Sequence, residues 1–171
     1  MTCTMSKPLK VLLDSTYLLP SFGVEVEGFS EEDIVKLKEL LDDGAVEMYY
    51  SPIVWVEILG KIARELRRKR AGKEVLTQVS LALKSITEAG TYRAVLPSSK
   101  DVELALRLRL LGHRDNVDNL LYAIAHNNGL ALMSMDKTLR NFIEENKEHG
   151  LRSDIIMDHK TLLRGKTQTK H

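Results

Sequence analysis

The sequence predicts an α/β fold, a parallel sheet covered by helices on both faces, and three observations carry that expectation. Short apolar runs alternate with longer segments whose apolar residues recur every three or four positions. No Asn-Gly or similar pair joins two strand-like runs, so tight antiparallel hairpins are not signalled. A chain of 171 residues with 43% hydrophobic content can bury one good core and is short for two ordinary domains, so a single domain over 1–171 is expected.

Taken in order, the elements follow from local chemistry. Residues 1–8 read as a polar, flexible leader. Leu9 to Leu13 is apolar except for Lys10 and stops at Asp14-Ser15-Thr16, the pattern of a buried strand entering a loop. Ser30 followed by Glu31, Glu32 and Asp33 has the form of a capping box, and Ile34, Leu37, Leu40 and Leu41 continue at helical spacing until Gly44. Val46 to Tyr50 is the second strand; Ser51-Pro52 then supplies a cap and a first-turn proline for a helix running to about Arg70. Gly72 interrupts it, and Val75, Val79, Leu83 and Ile86 mark a second helix that ends near Gly90. Tyr92 to Leu96 is a third strand. After Pro97-Ser98-Ser99 comes a helix whose apolar stripe is Val102, Leu104, Ala105, Leu108 and Leu111, closed by Gly112. A helix over about Asn116–Asn127, a fourth strand from Leu130 to Met133, a helix over about Lys137–Lys147 and a short strand near Ile155–Met157 complete the series. A polar tail is expected to follow, flexible over 165–171.

Composition excludes several classes of function. The 25 Lys and Arg nearly balance 24 Asp and Glu, so net charge (+1) argues for no partner, and any affinity for nucleic acid must come from local distribution. Cys3 is the only cysteine, which leaves no internal disulfide and no Cys-x-x-Cys zinc site. The five histidines, 113, 126, 149, 159 and 171, lack His-Glu-x-x-His spacing and are expected at the surface, so a zinc hydrolase is disfavoured. No Gly-Lys-Ser or Gly-Lys-Thr follows the first strand, which disfavours a nucleotide-driven motor or kinase. Met1 to Lys10 does not read as a secretory signal and no apolar run is long enough to cross a bilayer; a cytoplasmic protein without membrane attachment is the expectation.

In an open parallel sheet the carboxyl ends of the strands form one rim, where ligands bind. Asp14 directly follows the first strand, and Asp136 comes three residues after Met133. Asp118 sits in the first turn of the helix feeding the fourth strand, whose start crossover geometry brings to the same rim. Glu57 lies further along its helix, roughly 9 Å from the cap at about 1.5 Å per residue. Carboxylates crowded together repel one another, and a hard divalent cation such as Mg2+ or Mn2+ relieves that conflict. Such an ion can activate water and neutralise charge on a phosphate. Each residue has a plainer explanation too. Asp14 and Asp136 would cap the helices that start after them, and Asp118 would complement a helix dipole. Glu57 lies among Ile53, Val54, Trp55, Val56, Ile58 and Leu59, where a carboxylate either reaches solvent or needs a partner.

Four segments in this order resemble the PIN domains, a family that includes the VapC-type toxins: Val11-Leu12-Leu13-Asp14-Ser15, Ile53-Val54-Trp55-Val56-Glu57-Ile58, Val117-Asp118-Asn119-Leu120-Leu121-Tyr122-Ala123-Ile124-Ala125 and Leu132-Met133-Ser134-Met135-Asp136-Lys137. The resemblance implies a three-layer fold with strand order 3-2-1-4-5, a Mg2+- or Mn2+-dependent ribonuclease, and homodimers. Carried over by position, Asp14, Glu57, Asp118 and Asp136 are the catalytic, metal-binding set, and Ser134 is an accessory hydroxyl where family members often have Thr. Asp115 is either an accessory ligand or a helix cap, with the cap favoured. The segment from Arg67 to Glu88 is longer than in many VapC-type toxins. The implied function is endoribonuclease, either the toxin of a pair held by a small antitoxin or an RNA-processing factor.

Two basic groups are candidate RNA contacts: Arg64-Glu65-Leu66-Arg67-Arg68-Lys69-Arg70, which reads slightly better as a solvated helix end, and the looser set Arg107, Arg109, His113 and Arg114. The rival readings are a catalytically silent module that binds RNA or a protein, and a phosphatase whose nucleophilic aspartate follows the first strand. The latter usually has a second aspartate two positions on, where this chain has Thr16.

Overall fold

The computed structural model describes residues 7–68 and 73–167. Five parallel strands form one sheet: β1 (Leu9–Leu13), β2 (Val46–Tyr50), β3 (Tyr92–Ala94), β4 (Ala131–Met133) and β5 (Ile156–Met157), in the order β3-β2-β1-β4-β5. The chain steps outward from β1 to β3 and then returns to the other side of β1 for β4. The order therefore reverses between β1 and β4, and the crevice beyond their carboxyl ends is the natural ligand position in such a sheet. Register places Leu13 beside Met133, so that Asp14 and Ser134, the next residues of each strand, emerge as neighbours.

Among the described residues eight α-helices connect and cover the strands: α1 (Ser15–Leu18), α2 (Glu31–Asp42), α3 (Trp55–Arg68), α4 (Lys73–Thr87), α5 (Ser99–Leu111), α6 (Asn116–Asn128), α7 (Lys137–Glu145) and α8 (His159–Thr167). The core runs through the sheet, with Val11, Leu12, Leu132 and Met133 almost wholly buried against Ile58, Ile86, Leu108, Ile124 and Leu139. α6 is the innermost helix: Leu121, Tyr122, Ala123, Ile124 and Ala125 are all buried in succession, and Gly129 closes it in a left-handed conformation (φ +64°).

Local signals place most boundaries. Ser30–Asp33 and Ser98–Asp101 both form complete capping boxes, and α2 and α5 begin where they do because of them. Four expectations are corrected. The segment after Asp14 does not remain a loop but turns at once into α1 and a 3-10 turn over Leu19–Phe22. Pro52–Val54 is a 3-10 turn, and α3 starts only at Trp55, one turn later than the Ser51-Pro52 signal suggests; Ser51 makes no side-chain cap. The expected polar tail is helical through Thr167, because Asp158 caps it (Thr161 N–H to Asp158 Oδ1, 2.7 Å) and Leu162 is buried on the core. Finally, α5 buries Leu104, Ala105 and Leu108 and packs Leu111 on the core as its stripe predicts, but Val102 is 54% exposed and Asp101 faces inward instead. The buried Asp101 is satisfied there, accepting hydrogen bonds from Ser98 and from Asn127 Nδ2 (2.8 Å).

His113 and His159 are buried, not at the surface. His113 Nδ1 meets Asn119 Oδ1 at 2.8 Å, while Asn119 Nδ2 donates back to the His113 carbonyl (3.1 Å). His159 donates its backbone N–H to the Tyr17 hydroxyl (3.1 Å), its Nδ1 lies 3.1 Å from the same oxygen, and its Nε2 is 3.4 Å from Asp33 Oδ2. The leader 1–6, the segment 69–72 that includes Gly72 and the expected end of the helix at Arg70, and the tail from 168 lie outside the described residues.

Candidate active site

The switch point between β1 and β4 presents Asp14 first. It is the N-cap residue of α1 by position, yet its side chain makes no capping hydrogen bond; instead Asp14 Oδ2 accepts from Ser134 Oγ (3.2 Å), and the carboxylate is buried. The plainer explanation, a helix cap, therefore does not account for Asp14. Ser134 in turn accepts from the backbone N–H of Asp136 (3.1 Å), so a single hydroxyl ties the two acidic loops together. Asp136 does cap α7, accepting from Thr138 N–H at 2.6 Å through Oδ1. Asp115 caps α6, its Oδ1 accepting from Val117 N–H (2.9 Å) and Asp118 N–H (3.1 Å), in line with the favoured expectation for it.

Asp118 and Glu57 complete the group. Among the described residues neither carboxylate accepts a hydrogen bond, although both are half-buried. Their proximity shows in the electrostatics. The Asp118 carboxyl is pushed up to about 8, first by burial and then by the negative charges of Asp115, Asp14, Asp136 and Glu57. Asp14 is also raised, by burial and then by Glu57, while Lys61, Ser134 and Ser15 pull it down. Asp14, Glu57 and Asp136 thus lie within electrostatic reach of Asp118, and Glu57 within reach of Asp14; the four come from the end of β1, α3, α6 and the β4–α7 loop.

Sequence reasoning missed Lys61. It lies one turn beyond Glu57 on α3, donates from Nζ to Ser15 Oγ (2.9 Å), and is the cation whose field reaches Asp14. The four-residue spacing from Glu57 was the available signal, since that places both on one helix face. The two basic groups do less at the rim. Arg68 pairs with Glu65 (2.7 Å), Arg67 Nε donates to the Ala63 carbonyl (3.1 Å), and Lys69 and Arg70 lie outside the described residues. Arg107 and Arg109 bond to the backbone carbonyls of His149 and Arg114, and His113 is buried against Phe142.

An all-oxygen donor set in which burial and neighbouring carboxylates raise the proton affinity of Asp14 and Asp118 fits a hard divalent cation by its chemistry. Among the described residues no three His, Cys, Asp or Glu side chains are already drawn close enough to enclose one.

Comparison with protein families matches residues 21–144 to the PIN domain. The chain belongs to the PIN domain family. Glu57, Asp118, Ser134 and Asp136 fall inside the matched span, and Asp14 precedes it. Among solved structures this PIN domain is similar to PAE2754 from Pyrobaculum aerophilum (13% identity, TM-score 0.56, covering 94% of this chain and 92% of that one). It is also similar to VapBC2 from Rickettsia felis bound to a DNA fragment from its promoter (11% identity, TM-score 0.54, covering 88% and 98%). VapC20 of Mycobacterium tuberculosis, a sarcin-ricin loop cleaving toxin, matches with TM-score 0.48 at 14% identity, covering 77% and 93%. At such identities the first two likenesses speak for the fold alone, and the third adds nothing to the argument. No curated protein sequence matches the chain. Among the described residues, no helix of the PIN domain is long and apolar enough to cross a membrane.

Proposed function

We propose that this PIN domain is a Mg2+- or Mn2+-dependent endoribonuclease, with Asp14, Glu57, Asp118 and Asp136 as its metal-binding and catalytic carboxylates. The observation that carries the reading is the convergence of carboxylates on Asp118 at the β1–β4 switch point, where burial and then the charges of Asp115, Asp14, Asp136 and Glu57 push its carboxyl up to about 8. Carboxylates held close together at a partly buried rim repel one another, and their arrangement makes sense as a site that gains when a cation arrives. A bound divalent ion supplies an activated water and neutralises charge developing on the phosphate.

The chain's own groups do the rest. Ser134 orients Asp14 by donating to Oδ2 and holds the Asp136 loop by accepting its N–H. Lys61 offsets part of the negative charge on the α3 side and presents an ammonium to a non-bridging phosphate oxygen. Asp115, committed to capping α6, fixes the start of the helix that carries Asp118.

RNA digestion by the purified protein in Mg2+ or Mn2+ tests the reading. Asp14→Asn, folded by circular dichroism, is expected to lose cleavage by more than about 100-fold, as removal of a metal ligand should exceed the effect of a supporting group. Equal cleavage by Asp14→Asn and wild type means a contaminating nuclease and ends the proposal.

A second reading, a silent module that binds RNA or a protein, is favoured by the lack of a pre-gathered metal cluster among the described residues. Calorimetric titration with Mn2+ separates the two, since a silent module does not need to bind the ion tightly. The likeness to VapBC2 suggests control by a small antitoxin, and we place the protein in the cytoplasm. We also propose a homodimer, for which the exposed stripe Val102, Leu106 and Leu110 on α5 is the candidate contact.

A further inference from the structure

A second concavity lies alongside the acidic centre, between the amino ends of α7 and α8. It has a volume of about 260 Å³ and shares Ser134 and Asp136 with the acidic centre. Its chemistry differs from that of its neighbour. Met135, Ile156 and Met157 give it an apolar lining, while Lys137, Arg140 and Lys160 stand around it as exposed cations.

These cations are uncommitted. Among the described residues none of the three side chains makes a hydrogen bond or an ion pair within 4.0 Å; Arg140 senses Asp158 and Glu144, and Lys160 senses Asp33, only at longer range. The two carboxylates of the lining are engaged: Asp136 Oδ1 accepts from Thr138 N–H (2.6 Å) and Asp158 Oδ1 from Thr161 N–H (2.7 Å). Three cations against two carboxylates leave one net positive charge, with His159 counted neutral. The amino ends of two nine-residue helices add partial positive charge on the same side.

We propose that this cleft is a nucleotide subsite of the RNA strand, seating the residue next to the bond cleaved at the acidic centre. The proposal rests on the ribonuclease reading for the position of the cut, and on the cleft itself for the binding. A base or ribose face packs on Met135, Ile156 and Met157, whose flexible side chains adapt to either. Its phosphate is held by Arg140 and Lys160, with Lys137 at the junction with Asp136. The volume suits one nucleotide and not a folded helix. The position explains how an acidic centre, which repels a polyanion in the absence of metal, can still hold a strand: the attraction is supplied one nucleotide away.

Binding of a short fluorescent oligoribonucleotide, followed by anisotropy in chelator, tests this without relying on catalysis. The double variant Arg140→Ala/Lys160→Ala is compared with the charge-matched control Lys100→Ala/Lys147→Ala, all four positions being exposed. The subsite predicts a Kd about tenfold weaker for the first variant, the size of a lost charged contact. It also predicts a salt dependence shallower by roughly 0.7 per lost phosphate contact, with the control close to wild type. Equal weakening in both variants, unchanged binding in the first, or no measurable binding by wild type at low salt overturns it. If wild type cleaves no RNA in Mn2+ while the double variant still weakens binding, the ribonuclease reading fails and the subsite stands.

Discussion

At the scale of single residues, the site is a set of carboxylates with different occupations. Asp115 and Asp136 cap helices, Asp14 is tied to Ser134, and the charges that bear most on Asp118 are of its own sign. The Asp118 carboxyl is pushed up to about 8 in the folded protein, by burial before repulsion, against an ordinary value of 3.8. A folded value above the unfolded one means that the native state binds the proton more tightly. Its contribution to stability is full below about 4 and is lost as pH rises through about 8. Melting temperature in chelator should therefore fall between these limits, and Asp118→Asn should flatten that slope; parallel profiles for the two proteins would contradict the assignment. Ser134→Ala removes the donor to Asp14 and the acceptor for the Asp136 N–H. Mn2+ affinity should drop by about 10- to 100-fold in calorimetry, the usual effect of losing a group that orients a ligand.

Asp14 and Asp136 stand out in the sequence because each lies between an apolar run and a helix, a signal confined to a few neighbours, whereas Glu57 and Asp118 lie within helices and were singled out with the help of the family resemblance. Lys61 was not, since its importance depends on Asp14 and Ser15, 46 positions away from Lys61 in the case of Ser15. His113 and His159 were misjudged as surface residues for the same reason: their partners Asn119 and Tyr17 become visible only once the chain has folded.

At the scale of elements, caps and proline–glycine punctuation placed α2, α5 and α6 closely, whereas α8 was read as tail. Nothing in its local sequence is strongly amphipathic; it is held by Leu162 on the core and by the Tyr17–His159 contacts that bridge 142 positions. Tyr17→Phe keeps the ring packing on Phe29 (centroids 5.0 Å apart) but strips the buried His159 N–H of its acceptor. Urea titration should show a loss of about 1–3 kcal/mol, the cost of an unsatisfied buried group, with amide exchange fastest in α8. A change confined to the rest of the core would separate α8 from this contact. The burial of Asp101 on α5 was likewise beyond pattern reading, because its partner Asn127 lies 26 positions away.

At the scale of the whole molecule, alternation of strands and helices was enough for a parallel α/β sheet, but not for the order β3-β2-β1-β4-β5, which came from the family resemblance. That order matters more than any single contact, since it makes β1 and β4 neighbours and so brings Asp14 to Ser134 across 120 positions. The α5 stripe of Val102, Leu106 and Leu110 gives the proposed dimer a direct check: Leu106→Glu/Leu110→Glu should sediment as a monomer where wild type sediments as a dimer. A monomeric wild type removes the proposal.

Anomalous diffraction from crystals soaked in Mn2+ bears most directly on the central claim, that carboxylates from β1, α3, α6 and the β4–α7 loop form one cation site. A manganese peak bounded by oxygens of Asp14, Asp118 and Asp136, with Glu57 turned toward it, is the expected result. A fully soaked crystal with no peak there, or with manganese bound only at unrelated surface acids, would contradict it.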